Sequence, residues 1–175
     1  RLFRTIENDR LGNLVSAGFP CVDDFLQKAN QVLNRRKSRA GKSLEHQLAA
    51  IFQGNGLFFD EQVVTEGNKK PDFIFPSGKA YHDKTFPDEG LVFLAAKTTC
   101  KDRWRQILVE ANRFKGKTKY LCTLQQGMSE TQMDEMASED VQLVIPKPYI
   151  KDYPSGRQKG ILTIEDFVTF VKSTQ

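Results

Sequence analysis

The sequence predicts a single mixed α/β domain, residues 1–175, in which a central β-sheet is flanked by helices. A length of 175 residues is ordinary for one domain. Segments with helical spacing of apolar residues alternate with short apolar runs typical of strands, and no repeat or low-complexity linker interrupts them. A hydrophobic content of 39%, including 13 Phe, is enough for a core and excludes intrinsic disorder.

Two further classes of protein are excluded by the composition. No stretch approaches the ~18 consecutive apolar residues of a transmembrane helix, and Arg1–Glu7 lacks the apolar run of a signal peptide. Cys21, Cys100 and Cys122 form no CxxC pair, so reduced thiols in a cytoplasmic protein are expected. Because the first residue is not Met, we expect a processed chain or, in the interpretation we favour, a fragment of a longer protein.

The N-terminal part of the sequence predicts two helices. Apolar residues recur at helical spacing from Cys21 to Arg36, so this segment is expected to form an amphipathic helix with a basic end. A second helix is expected to begin after an N-cap at Ser43 and to end at Gly54, where Gly-Asn-Gly is a strong stop signal.

Short strands are predicted in the middle of the chain. A continuous apolar run bounded by polar residues is typical of a buried central strand, and Leu91–Ala96 is such a run. A turn is expected at Glu66–Lys70, and a polar loop that contains Tyr81 precedes the central strand. The other predicted strands are Leu57–Phe59 and Gln62–Val64, as one strand or two, and Phe73–Phe75.

The C-terminal part returns to alternating helices and strands. Helices are predicted from patterns of apolar spacing and capping residues, and strands from short apolar runs. The predicted elements are a helix at Asp102–Lys115, a strand at Tyr120–Leu124, an acidic helix that opens at Ser129, a strand at Val141–Ile145 and a helix at Ile164–Lys172.

Charge is unevenly distributed along the chain, although the net charge is only +4. Residues 26–44 hold six basic and no acidic residues, Arg36 and Arg39 among them, and residues 97–119 hold eight basic and two acidic residues. Residues 129–140 hold five acids and no base. This distribution is expected of a domain that presents one face to nucleic acid, but on charge alone ordinary solvated faces explain it equally well.

Two residues at predicted strand ends suggest phosphodiester chemistry. Asp72 follows Pro71 at the start of a short strand, and Lys97 ends the longer apolar strand. A carboxylate can hold a divalent cation there, while an ammonium orients water or stabilises the pentavalent phosphate. The common form of such a nuclease site has Asp or Glu two residues before the lysine, where this chain has Ala95.

Glu110 is the candidate for the missing acid. At about 100° per residue of an α-helix, Glu110 points within about 20° of Arg103, near the edge of the apolar stripe, and can face the strand ends. The alternative is a surface carboxylate that pairs with Arg113 or Gln106.

Together, Pro71-Asp72, Lys97 and Glu110 resemble the PD-(D/E)XK restriction endonucleases, in the NgoMIV/SsoII/PspGI-like subgroup whose second acid lies on the following helix. The segment Lys97 to Gln106 is most similar to the EcoRII-like catalytic domains of that subgroup. The resemblance implies an α/β restriction-endonuclease-like fold with a central mixed β-sheet.

The resemblance also implies a function. It implies a type II site-specific deoxyribonuclease domain of a bacterial restriction system that hydrolyses double-stranded DNA with Mg²⁺. The expected site is CCWGG, cut before the first C to leave 5′ overhangs, with the central bases flipped out. The expected assembly is a cytoplasmic homodimer without membrane contact, joined in the full-length protein to an N-terminal DNA-binding or regulatory domain.

By resemblance, Asp72 and Glu110 ligate the metal with the backbone carbonyl of Ala96, and Lys97 acts on the attacking water and the scissile phosphate. Two further residues are candidate contributors to catalysis. Glu45 resembles an acid that supports such sites from an early helix, or is an exposed helical Glu. Tyr81 contacts a phosphate or the metal-bound water, or is a local packing residue.

The family reads CC:GG with the residues just after the catalytic lysine, which correspond here to Lys101, Asp102 and Arg103. Lys and Arg can donate to guanine, and Asp can accept from cytosine, in the major groove. Three further basic residues are expected to contact DNA: Arg105, Arg36 and Arg39. Two rival functions remain open, a DNA repair or recombination nuclease of the same fold and a DNA-binding module without catalysis.

Overall fold

The computed structural model describes residues 2–110, 112–114 and 116–175. Contacts between residues divide the chain into two compact units, the first ending at Ala40 and the second spanning Gly41–Gln175. The expectation of one domain over the whole chain stays a prediction.

The first unit contains helix α1, Leu2–Ala17, and the beginning of helix α2, Val22–Gly54. Helix α1 was not predicted, because its apolar residues are interrupted by four polar residues between Ile6 and Leu11. Within this unit, Glu7 of α1 forms ion pairs with arginines of α2.

Helix α2 is continuous, so the prediction of two helices separated before Ser43 was wrong. Its central segment contains Gly41 but no Pro, and a helical Gly costs only about 1 kcal/mol relative to Ala. Burial of Leu44, Leu48 and Phe52 in the core of the second unit outweighs this cost. Among the described residues, no helix is long and apolar enough to cross a membrane.

The second unit is built on a five-stranded mixed sheet whose spatial order follows the chain. The first two pairings are antiparallel and the last two are parallel. The strands are β1 at Asp60–Glu61, β2 at Phe73–Phe75, β3 at Val92–Lys97, β4 at Lys119–Thr123 and β5 at Val141–Val144. The prediction of strands at residues 57–59 or 62–64 was wrong in position, because only two residues between them pair with β2.

Three further α-helices belong to the second unit: α3 at Gly78–His82, α4 at Glu130–Ser138 and α5 at Ile164–Thr174. The last helix is held at its start by a capping box between Thr163 and Asp166. Tyr81 lies in α3 rather than in a loop, because Ser77 caps a short helix there by accepting the N–H of Ala80.

The segment predicted as a helix at Asp102–Lys115 forms 3₁₀ helices instead, at Lys101–Val109 and Asn112–Phe114. Residues i and i+3 lie above one another in a 3₁₀ helix, and the buried Trp104 and Ile107 have this spacing. The expected alignment of Glu110 with Arg103 required an α-helix and therefore does not hold in this 3₁₀ helix.

Alternation along the strands separates two apolar cores. On one face Phe73, Phe75 and Leu94 pack with residues of α2 and α5. On the other face Phe93 and Ala95 pack with the 3₁₀ helix at Lys101–Val109 and with α4. Helices thus cover both faces of a mixed sheet, which confirms the predicted α/β class.

We predict that Phe52→Ala lowers the free energy of unfolding by about 3–5 kcal/mol, the usual cost of emptying a buried Phe site. The ring is fully buried and contacts four other rings, those of Phe59, Phe73, Phe75 and Phe167. Urea unfolding followed by circular dichroism measures the change.

The matched control for that variant is Phe58→Ala, whose side chain is 71% exposed. It should change the unfolding free energy by less than about 0.5 kcal/mol. Equal losses for the two variants would contradict the packing described for α2.

Candidate active site

The pairing of β2 with β3 brings Asp72 to Lys97. The antiparallel register places Phe73 opposite Leu94, and continuing it by one pair places Asp72 beside Ala95. Asp72 therefore lies next to the end of β3, where Lys97 is the last residue. Lys97 Nζ lies 2.8 Å from Asp72 Oδ2, so the two strand ends meet as the sequence predicted.

The carboxylate of Asp72 accepts three hydrogen bonds although the residue is only 6% exposed. Oδ2 accepts the backbone N–H of Ala96 and the ammonium of Lys97, each at 2.8 Å. Oδ1 accepts from Nε2 of Gln62 at 3.1 Å. A buried carboxylate is costly without such partners, so these donors allow a charge to be held at this position.

Lys97 keeps its proton in this surrounding. Burial alone would lower the pKa of Lys97, but attraction to Asp72 and the hydrogen bond to it raise the pKa overall, with further contributions from Glu110 and Glu45. The side chain is only partly buried, with 24% of its surface exposed. The ammonium can therefore serve as a fixed positive charge at the end of β3, beside Asp72.

Glu110 follows directly after the 3₁₀ helix, and its N–H donates to the carbonyl of Ile107 at 3.2 Å. Glu110 lies three residues after the buried Ile107, so in a 3₁₀ helix it falls on the same buried side. Burial raises the pKa of Glu110, whereas the charge of Lys97 lowers it and that of Asp72 raises it, with a net rise. The carboxylate therefore lies within electrostatic range of both strand-end residues.

The alternative pairing of Glu110 with Arg113 is wrong. The guanidinium of Arg113 donates to Asp88 Oδ1 at 2.7 Å and to the carbonyl of Ala80 at 3.0 Å. These bonds tie the segment after the 3₁₀ helix to the end of α3 and to the turn that precedes β3.

Glu45 of α2 also belongs to this group of charges. Burial and the nearby Asp72 raise the pKa of Glu45, Lys97 lowers it, and Glu61 of β1 raises it further. The residue is half-buried, which does not fit the alternative of an exposed helical Glu. A supporting role for Glu45 in catalysis stays a prediction.

The donor set fits a small divalent cation. Oε2 of Glu110 is buried and has no hydrogen-bond partner among the described residues, which leaves it available as a ligand. Among the side chains that the structure describes, no three from His, Cys, Asp or Glu residues are close enough to enclose a metal alone. Mg²⁺ does not require such a cage, because it is usually held by one or two carboxylates with water and phosphate oxygens.

Tyr81 is placed in the core, with 2% of its surface exposed. Its hydroxyl donates to Oε2 of Glu66 at 2.6 Å, and its ring stacks on Phe114 with centroids 6.0 Å apart. Burial and the bond to Glu66 raise the pKa of Tyr81 well above its usual range. This placement favours the packing interpretation over contact with a phosphate.

Three basic residues expected to contact DNA form ion pairs in this structure. Nη2 of Arg36 lies 2.5 Å and Nη2 of Arg39 lies 2.7 Å from carboxylate oxygens of Glu7 in the first unit. Arg105 lies 2.6 Å from Glu135 in the second unit. Their contact with DNA stays a prediction.

The side chains of the predicted base readers lie outside the described residues. These are Lys101, Asp102 and Arg103, whose backbone begins the 3₁₀ helix just after β3.

Sequence reasoning missed four residues that hold the site together. The side chain of Gln62 donates a hydrogen bond to Asp72, and its backbone has φ of 53°, a left-handed conformation that no sequence pattern predicted. The others donate from side chains to main-chain carbonyls at the end of the 3₁₀ helix; they are Thr65, Lys69 and Lys119. These bonds join segments that are distant in sequence, which local patterns do not report.

Two solved structures of similar fold are of restriction endonucleases in complex with DNA. Metal-depleted Ecl18kI in complex with uncleaved, modified DNA matches with a TM-score of 0.71 and 23% identity, over 95% of this chain and 58% of that chain. The PspGI–substrate DNA complex matches with a TM-score of 0.73 and 16% identity, over 99% of this chain and 74% of that chain. The restriction-endonuclease-like fold is thereby confirmed.

Comparison of sequences shows nearer relatives. Type II restriction enzyme EcoRII of Escherichia coli is 49% identical over 168 residues, which cover 95% of this chain and 41% of that enzyme. Type II restriction enzyme SsoII of Shigella sonnei is 28% identical over 141 residues, which cover 76% of this chain and 45% of that enzyme. The chain thus spans less than half the length of these two relatives. The family model described as EcoRII C terminal matches residues 3–168, so the chain belongs to the EcoRII C-terminal family.

Proposed function

We propose that this chain is the catalytic domain of a type II restriction endonuclease that hydrolyses phosphodiester bonds in double-stranded DNA with Mg²⁺. The observation that carries the proposal is the ion pair between Asp72 and Lys97 at adjoining strand ends, with the buried, unpartnered Oε2 of Glu110 in electrostatic range of both. The names of the relatives support it, because EcoRII and SsoII are both type II restriction enzymes.

The chemistry follows from the charges of the site. Asp72 and Glu110, with the carbonyl of Ala96, would hold Mg²⁺, which supplies positive charge to polarise the phosphate and activate water. Lys97, kept protonated by Asp72, donates to the scissile phosphate or orients the attacking water. Its charge opposes the negative charge that grows on the phosphate in the transition state.

The proposed target is CCWGG, cut before the first C. Lys101, Asp102 and Arg103 directly follow the strand that carries Lys97, so base reading and cleavage would share one backbone segment. A site of twofold symmetry with two scissile phosphates calls for two copies of the same active site, so the proposed assembly is a homodimer. The longer relatives are consistent with a further domain in the full-length protein.

The central A·T pair of such a site lies on the twofold axis, where identical subunits cannot make identical contacts to A and to T. Extruding both central bases removes this conflict and leaves four pairs to be read symmetrically. Opening an A·T pair costs less than opening G·C, which would itself favour W at the centre.

Two rival functions are separable from this proposal. A repair or recombination nuclease of this fold would recognise DNA structure rather than sequence and leave heterogeneous ends. A DNA-binding module without catalysis would leave plasmid DNA intact with Mg²⁺.

The first prediction concerns the products. Incubated with Mg²⁺ and a plasmid that contains CCWGG sites, the chain should produce 5′ overhangs that begin at the first C, because cleavage and base reading are coupled through one segment. Sequencing of the cut ends measures this. Ends scattered over unrelated sequences would indicate a structure-specific nuclease, and intact plasmid would indicate a module without catalysis.

The second prediction concerns the migrated acid. Glu110→Gln should reduce the cleavage rate by at least about 100-fold, since residues that act as one catalytic unit lose nearly full activity individually. Plasmid cleavage under single turnover measures the rate, and DNA binding without metal should be retained.

Glu130→Gln, which removes an exposed acid from α4, is the matched control and should cleave at the parental rate. If Glu110→Gln cleaves at the parental rate, another carboxylate holds the metal, and Glu45 and Asp102 are the next candidates.

The third prediction concerns base extrusion. Placed at the central position of the site, 2-aminopurine should brighten on binding in Ca²⁺, because it leaves the base stack. Trp104 and Tyr81 are each 2% exposed and so are not accessible to stack on and quench the extruded base.

The control for extrusion is 2-aminopurine outside the site, which should stay quenched. Unchanged fluorescence at the central position with stoichiometric binding would rule out stable extrusion.

A further inference from the structure

The end of the 3₁₀ helix is held by three side chains from two other segments, the turn before Asp72 and strand β4. The carbonyls of residues 108–110, three in succession, each accept a hydrogen bond from outside the helix. Nζ of Lys119 donates to the first at 2.8 Å, Nζ of Lys69 to the second at 2.7 Å, and Oγ1 of Thr65 to the third at 2.6 Å. The third carbonyl is that of Glu110 itself.

Two of these donors are buried, Thr65 with 6% and Lys119 with 5% of their surface exposed. Burial lowers the pKa of Lys119, which reflects the cost of keeping an ammonium away from water. Ordinary helix ends satisfy their last carbonyls with water or a glycine turn at much lower cost. A buried lysine used for this purpose suggests that the position of the helix end matters.

Thr65 and Lys69 also belong to one tight turn that leads into the Asp72 strand. The N–H of Thr65 donates to the carbonyl of Lys69 at 2.8 Å, and the turn passes through left-handed residues Gly67 and Asn68, with φ of 69° and 57°. The turn therefore fixes two donors close in sequence to Asp72. Through them, the segment that carries Asp72 is bonded directly to the segment that carries Glu110.

The replacement of the strand acid by Ala95 explains why such bonds are needed. An acid two residues before Lys97 would be fixed by the ladder of the sheet, on the same strand as the lysine. Glu110 lies beyond a 3₁₀ helix, whose hydrogen bonds are weaker than those of an α-helix. A displacement of about 1 Å in a catalytic group can cost on the order of 100-fold in rate.

We propose that Thr65, Lys69 and Lys119 are positioning residues that fix Glu110 relative to Asp72 and thereby set the affinity of the site for its divalent cation. The inference deepens the proposed function and rests on it. Thr65 is the most informative of the three, because its substitution changes no charge near the metal ligands.

The test compares Thr65→Val, which has nearly the same shape without the hydroxyl, with Thr65→Ser, which keeps the hydroxyl. Two quantities are measured: the Mg²⁺ concentration that gives half-maximal cleavage, and the affinity for Mn²⁺ by calorimetric titration without DNA. Thermal unfolding and DNA binding in EDTA report whether each variant is folded.

We expect Thr65→Val to remain folded and to bind DNA in EDTA as the parental chain does. It should weaken Mn²⁺ binding and raise the half-maximal Mg²⁺ concentration by about 10-fold or more, because substitution of a residue that holds a metal ligand in place typically costs that much affinity. Thr65→Ser should restore both values to within about 3-fold of the parental chain, an allowance for the context dependence of one hydrogen bond.

Unchanged metal dependence in a folded Thr65→Val would overturn the inference, as would equal defects in the Val and Ser variants. If Thr65→Val unfolds, Lys69→Gln against Lys69→Met supplies the same comparison, because Gln keeps a donor without the charge; equal metal affinities there would also overturn it. If the parental chain binds Mn²⁺ but never cuts DNA, the proposed function fails, while the Mn²⁺ titration still decides the positioning role.

Discussion

The rest of this site depends on the hydrogen bonds that the carboxylate of Asp72 accepts. A nearly buried negative charge is tolerated only where donors surround it, and here one donor is the main chain of β3, one is Lys97 and one is Gln62. The first of these bonds requires the antiparallel register of β2 on β3. The second keeps the lysine protonated and aimed at the same point. Strand pairing and electrostatics are therefore two aspects of one constraint.

The class of the fold could be predicted from the sequence because strands that are buried on both faces leave continuous apolar runs, as Leu91–Ala96 does. The bounds of individual helices and strands were harder to predict from the sequence. The segment before Ser43 reads as a break between helices, but α2 continues through it because buried residues on its second half compensate for Gly41. The strand β1 has only two residues, both exposed, so no apolar pattern marks it.

In the site, the meeting of Asp72 and Lys97 could be predicted, because each residue stands at the end of a predicted strand and strand ends can adjoin in a sheet. The sequence also predicted that Glu110 lies near these two residues, but the prediction assumed an α-helix where the structure has a 3₁₀ helix. An α-helical angle suggested it, whereas the observed inward direction follows the period of three residues shared with Trp104 and Ile107. The bonds from side chains to distant carbonyls could not be predicted, since nothing in a local pattern reports which segments meet.

The 3₁₀ helix also gives the site an internal difference in stability. Asp72 and Lys97 are anchored in the sheet, and releasing them requires strands to separate, whereas Glu110 is released when a few side-chain bonds open. Such local opening has a smaller free energy than global unfolding. The site can therefore be disassembled while the sheet remains intact, and amide hydrogen exchange along residues 104–110, compared with that along β3, would report how often this occurs.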